Sequence, residues 1–343
     1  MTPWLGRSLV NPAVDLLLVA GGASLLVPLL ASTAGGLGGE EDWLRRLPWI
    51  LFFTNNSHFA SSTVRLYTKE ASFERHRFLT MGFPLVTLAV VFVCVAWPEL
   101  LGKHLQALYL TWSPYHYAAQ AFGIASLYCV RSGVPLASDE RRWLRWVCLL
   151  PFFVAFLGSP TTGFGWIVGA EVISSRAWLV ELLNASQALC ALLAFAAPIA
   201  FAWVRYKRGR SLPLLALGAI YANSIWFVIF EFYEAFAWAT IFHGLQYLVL
   251  VVVFHVRERV ARPENTWSAG LHALHFYAMC LGLTYLLFQV WPFGLWFVGF
   301  GWSESILVSI AAINLHHFVV DAYIWKFRPG DSNRRVAEAG VAG

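Results

Sequence analysis

Charged side chains are scarce in this chain: Asp, Glu, Lys and Arg make up 13% of its 343 residues, while hydrophobic residues reach 59%. Soluble domains carry about 25% charged residues, so this chain has too little polar surface to cover itself in water, and a soluble globular fold is excluded. Cysteine is sparse as well. Cys94, Cys129, Cys148, Cys190 and Cys280 all lie in apolar runs without CxxC spacing, which leaves neither a disulfide framework nor a thiolate metal site. No cleavable signal peptide is expected, because the first apolar run is long enough to span and lacks an AxA-type end. There is no soluble domain, long linker or low-complexity tract, and the organisation reads as one transmembrane domain over 1–329 with a short disordered cytoplasmic tail over 330–343.

What remains is all-α, a polytopic transmembrane helical bundle. Apolar windows of about 20 residues fall near 13–34, 47–67, 78–98, 104–130, 141–158, 178–204, 212–230, 236–256, 270–291 and 303–326, which predicts ten helices. Basic residues follow every second window: Lys69, Arg75 and Arg77; Arg131, Arg141 and Arg142; Arg205, Lys207, Arg208 and Arg210; Arg257, Arg259 and Arg262; then Lys326, Arg328, Arg334 and Arg335. By the positive-inside rule both termini are expected in the cytoplasm, of a bacterial inner membrane. The net charge of +5 is then topological and gives no reason to expect nucleic-acid binding. The 17 Trp, 27 Phe and 12 Tyr exceed what interfacial belts need, so many rings should line the interior. Segments 158–177 and 291–302 fall on the outer side, as lids or as aromatic-rich loops.

Within this apolar background four stretches each hold a central histidine: His58, His116, His243 and the pair His316-His317. An imidazole in hydrocarbon needs a hydrogen-bond partner or a metal. All four lie on even-numbered windows, which run in one direction, so their side chains are expected to converge. Each has a polar companion on its own helix face: Asn55 with His58, Gln120 with His116, Gln246 with His243, and Asn314 and Asp321 with His317. Such companions suit the outer partners that orient a metal-bound imidazole. Either His316 or His317 can be the ligand, since neighbouring helical residues point about 100° apart. Asn184 and Gln187 hold the corresponding place in the sixth window. His272 and His275 could form a second ligand set or an interfacial pair; His76, His104 and His255 read as solvated or interfacial, and Glu231, Glu234 and Glu304 as wet helix ends.

Ligand chemistry narrows the ion. Imidazole with carboxamide or carboxylate support, ringed by aromatics, suits non-haem iron, one or two ions, that activates dioxygen on an apolar substrate; copper and haem fit less well. Phe59, Trp112, Tyr115, Tyr117 and Phe242 would flank an elongated apolar cavity for such a substrate.

The motif His317-Phe-Val-Val-Asp321 with His243-Gly244, and His58 and His116 by position, resembles the bacteriorhodopsin-related family of bacterial β-carotene 15,15′-dioxygenases. That resemblance implies a four-histidine iron and a carotenoid or other polyene substrate. Glu231-Phe-Tyr-Glu234, Ala239 to Leu245 and His317 to Asp321 are similar to segments of subunit III of haem-copper oxidases, an accessory subunit without a metal. The windows around His116 and His317 also look similar to uncharacterised bacterial membrane proteins. The expected function is therefore a membrane-embedded histidine-ligated iron oxygenase or related oxidoreductase acting on a lipid or isoprenoid. The alternative is a non-enzymatic membrane component, either a respiratory-complex accessory subunit or a haem or metal carrier.

Overall fold

The computed structural model describes residues 4–26, 40–230, 236–325 and 332–338. Among these the chain is all-α, without a strand. The principal helices are α1 (Glu40–Leu51), α2 (Ser57–Thr68), α3 (Phe83–Ala96), α4 (Lys103–Arg131), α5 (Ser138–Gly158), α6 (Ala177–Lys207), α7 (Leu214–Ser224), α8 (Phe236–Val260), α9 (Ala269–Tyr285), α10 (Trp291–Phe297), α11 (Trp302–Ile324) and α12 (Ser332–Glu338). Wider π turns carry α1 into α2 (Phe52–Asn56) and α9 into α10 (Leu286–Val290) without a break. Every expected window from 47–67 onward thus falls on helix. Five segments, Phe78–Ala96, Ala177–Lys207, Ala237–Val260, Ala269–Phe297 and Trp302–Ile324, are long and apolar enough to cross a membrane, which makes this an integral membrane protein.

Helix α6 shows the solvent these helices are built for. Leu182, Leu189, Leu192 and Ile199 are exposed along it, an apolar face that water would not tolerate. Exposed rings close both ends, Trp178 at one and Trp203 with Tyr206 at the other. At about 1.5 Å per residue, Trp178 and Trp203 lie about 38 Å apart, enough to place both at the edges of a hydrocarbon core about 30 Å thick.

The start of the chain departs from expectation. Instead of a continuous helix over 13–34, it makes three short turns, Pro12–Val14, Asp15–Val19 and Gly22–Leu25, and the remainder of that window lies outside the described residues. Asp15 is the cause. It is fully buried, and it accepts the amides of Leu9 and Val10 and the hydroxyl of Tyr128, at 2.9 Å for the last two. Burying a carboxylate is tolerable only with such a set of donors, and it anchors the chain where a membrane helix would otherwise start. Gly21 then turns the backbone at φ +73°, where a Cβ would lie 2.3 Å from that of Ala222.

The described chain divides into two compact units where the sequence suggested one domain. The first comprises Met1–Leu47, Ser113–Gln246 and Ala337–Gly343; the second comprises Pro48–Trp112 and Tyr247–Val336. In the first, α5 lies along α6 and an aromatic core gathers Tyr117, Trp226, Phe227 and Phe230. A buried ion pair, Arg205 with Glu140, fastens the basic end; Arg205 also donates to Val134 O at 2.9 Å, and Glu140 accepts the Ala137 amide at 3.0 Å. Gln187, offered above as a contributor to the histidine site, instead donates to Val154 O at 3.2 Å and ties α6 to α5.

In the second unit, α2 packs on α9 and α11, and α11 packs on α3 and α10. Val64, Tyr247, Leu248, Val251, Phe276 and Cys280 form its core. Lipid tails are as apolar as these side chains, so cohesion here comes from close packing and polar bonds more than from the hydrophobic effect. Arg65 supplies several: it reaches Glu258 at 3.0 Å and Asn333 at 2.7 Å, and its guanidinium lies 5.1 Å from the Trp325 ring. Asn333 sits on α12, is fully buried and donates to Ile324 O at 2.6 Å. The tail expected to be disordered is therefore helical over Ser332–Glu338, because Arg65 and a helix-end carbonyl give Asn333 partners that polarity of sequence does not reveal. The two segments expected on the outer side are also helical in part: Gly163–Val168 with Ala170–Ser174, and α10, whose Phe293 and Trp296 are exposed.

Candidate functional site

The structure gathers the central histidines into two pairs, one within each unit. In the second unit, α2 supplies His58 and α11 supplies His317, both fully buried, with ring centroids 4.3 Å apart and planes at 81°. The π turn Phe52–Asn56 immediately precedes His58; such turns recur at functional sites because one extra residue re-aims the side chains that follow. Polar groups fix the His317 ring on both sides. Ser62 Oγ lies 2.8 Å from Nδ1, and Asp321 Oδ2 lies 3.4 Å from Nε2. Asp321 in turn accepts the Tyr247 hydroxyl, and Tyr247 accepts the Trp325 indole N–H at 2.9 Å. Tyr247 also meets His58, ring to ring at 4.7 Å.

In the first unit, α4 supplies His116 and α8 supplies His243, with centroids 5.3 Å apart and planes at 80°. Aromatic rings surround this pair. Tyr117 stacks flat on His243 at 3.7 Å and 10°, and Trp226 meets it edge-on at 6.2 Å. The two carboxamides expected to orient these imidazoles bond to each other. Gln120 donates to Gln246 Oε1 at 2.7 Å, and Gln246 donates to Val19 O at 2.6 Å. A primary amide with two donors and an acceptor finds better-matched partners in a second amide and a carbonyl than in a single ring nitrogen.

The choice between the adjacent histidines is resolved. His317 faces His58 and Asp321, whereas His316 stacks on Phe83 at 4.9 Å and 14°. Of the two, His317 is the one placed beside the His58 ring. Asn314 departs from its expected role too: its amide donates to Ile310 O, one turn back on its own helix, at 2.7 Å. Its Oδ1 and that of Asn55 are buried acceptors with no donor among the described residues. Each such oxygen costs about 1–3 kcal/mol unless a water or a cation meets it, so both are open to either.

His272 and His275 lie apart from the central histidines, beside Trp267. Among the described residues neither belongs to any group of three ligand atoms close enough to share an ion, and His272 Nε2 lies 2.6 Å from Asn265 Oδ1. His255, expected at the interface, is buried against Phe276 at 4.3 Å. His104 is exposed, as expected. Phe59 and Tyr117 are buried, while Tyr115 is exposed and rests on Phe152 at 6.0 Å. Glu231 and Glu234 lie outside the described residues.

Two participants in the site, Ser62 and Tyr247, lie outside the expected set. Ser62 sits one turn after His58, and Tyr247 one turn after His243, so both had the helical spacing that marked the companions. A hydroxyl at that spacing is a weak signal, because it can also bond a carbonyl of its own helix. No sequence-family model, no curated protein and no solved structure matches the chain.

Proposed function

We propose that the paired histidines ligate non-haem iron, one or two ions per chain, and that the protein is a membrane oxidoreductase or oxygenase acting on a long apolar molecule, a lipid or isoprenoid such as a carotenoid. The same reading places the chain in a bacterial inner membrane with ten spans and both termini in the cytoplasm, on the alternation of basic connections. The observation that carries the reading is the arrangement of His317, Asp321 and His58. The Nε2–Oδ2 separation of 3.4 Å exceeds the 2.7–2.9 Å or so of a charge-assisted hydrogen bond. Asp321 thus lies close enough to orient the His317 imidazole and to lend negative charge to an ion that the imidazoles would hold. Tyr247 and Ser62 then hold carboxylate and imidazole in register, the work that outer partners perform at metal sites.

Neutral imidazoles with one carboxylate suit iron or copper better than hydrolytic zinc in a site facing apolar substrate. Iron in such a set supplies dioxygen activation. The residues of this chain bind and orient: Asp321 lends negative charge, and the rings of Phe59, Tyr117 and Phe242 offer apolar surface to a substrate with no charge to grip. Elemental analysis of the purified protein with an absorbance spectrum tests the reading. Stoichiometric iron without porphyrin bands supports it. Porphyrin supports a haem carrier instead, and absence of any metal from protein purified without chelator supports an accessory membrane component.

A further inference from the structure

A second polar site lies in the second unit, where α8 ends and α9 begins. A cleft of about 330 Å³ opens there, lined by Arg259, Arg262, Glu264, Trp267, His272 and His275 among others. That is the volume of a small-ligand pocket, about 300–1,000 Å³. Two guanidinium groups share the wall. Arg259 donates one N–H to Thr68 O at 2.7 Å, and Arg262 reaches the exposed Glu70 only at 3.4 Å. With five N–H donors each, both retain donors for a ligand. Trp267 lies over the two imidazoles, 5.3 Å from His272 and 5.4 Å from His275, and Asn265 fixes the His272 ring.

Two fixed positive charges in one wall repel a divalent cation and attract an anion, and the planar forks of arginine match phosphate oxygens. Imidazoles add N–H donors of adjustable charge. The N-terminus of α9, capped by Ser268, adds a partial positive charge at the same end. We propose that this cleft binds a phosphate group, held by Arg259 and Arg262 with His272 and His275 as further donors. The phosphate is carried either by a lipid headgroup at the membrane surface or by a soluble molecule. The assignment goes beyond the iron reading and does not depend on it.

Glu264 makes the proposal testable by gain as well as loss. Its exposed carboxylate lines the same cleft and opposes any anion there. Purified full-length protein in uncharged detergent is titrated with radiolabelled inorganic phosphate, and separately with short-chain phosphatidylglycerol followed by native mass spectrometry. Arg259→Gln and Arg262→Gln should each weaken binding about tenfold or more, the loss expected of a charge-assisted contact. Glu264→Gln should tighten it several-fold, a result that misfolding cannot produce. Binding of phosphatidylglycerol without free phosphate identifies a headgroup site; binding of free phosphate identifies a soluble ligand. The proposal is overturned if neither probe binds the wild type more tightly than the arginine variants, if Glu264→Gln leaves the affinity unchanged, or if His272 and His275 are found to hold Fe²⁺ or Zn²⁺.

Discussion

The two histidine pairs have the same composition and different settings. In the first unit His243 stacks flat on Tyr117 and meets Trp226 edge-on, and the neighbouring carboxamides of Gln120 and Gln246 bond to each other. In the second, His317 is held by a serine hydroxyl and a carboxylate, and that carboxylate is itself held by Tyr247. An aromatic ring lies flat against one imidazole, and a hydroxyl and a carboxylate flank the other. Shape fixes a ring's plane without altering its basicity, whereas a carboxylate does both. The electronic tuning of a bound metal should therefore depend on the second pair more than on the first.

The largest expected effect tests what the pairs share. Single replacement of His58, His116, His243 or His317 by Ala should release most of the metal, since each removes a ligand outright. His316→Ala and His104→Ala should retain it, and iron per chain in the purified variants gives the answer. Full occupancy in any two of the four ligand variants would break the assignment.

Asp321→Asn comes next and separates the pairs. It should lower metal affinity about 10–100-fold in a folded protein, read by competition with a chelator. Gln120→Ala should leave metal affinity within about twofold of wild type, because in the structure Gln120 serves Gln246. Its cost is stability, about 1–3 kcal/mol, from the buried Gln246 Oε1 that loses its donor. Thermal unfolding in detergent reads that loss, and a Gln120→Ala variant that sheds metal at unchanged stability would erase the contrast drawn between the two pairs.

The smallest effect concerns Asp139 at the basic end of the first unit. The hydrogen bond from Arg208 at 2.7 Å holds its carboxyl below the ordinary value of 3.8. A depressed folded-state pKa contributes stability above the unfolded value and loses it as pH falls through the folded value. Asp139→Asn should thus be slightly less stable than wild type at neutral pH and equal to it in strong acid. For a fully exposed pair the difference should lie near the limit of a melting measurement and vanish in high salt.

Helix positions and the four histidines were legible in the sequence because hydropathy at span length and buried imidazoles are strong local signals. Partner choice was not. His316 and His317 differ by about 100° around one helix, and only the packing of α11 against α2 and α3 decides which of them meets His58. Spacing correctly drew attention to Asp321, but it could not show that Gln120 prefers Gln246, or that Asn314 prefers the carbonyl of Ile310. The anchoring of the first apolar window was equally hidden. Asp15 reads as a single charge in an apolar run until Leu9, Val10 and Tyr128 are seen to supply its donors.

The central claim, that these imidazoles are metal ligands, is met most directly by iron K-edge X-ray absorption on the wild type beside His317→Ala and His316→Ala. Wild-type and His316→Ala spectra should agree and show outer-shell scattering from several imidazoles, with His317→Ala losing that scattering together with most of its iron. Iron bound at full occupancy in His317→Ala with an unchanged imidazole count would contradict it.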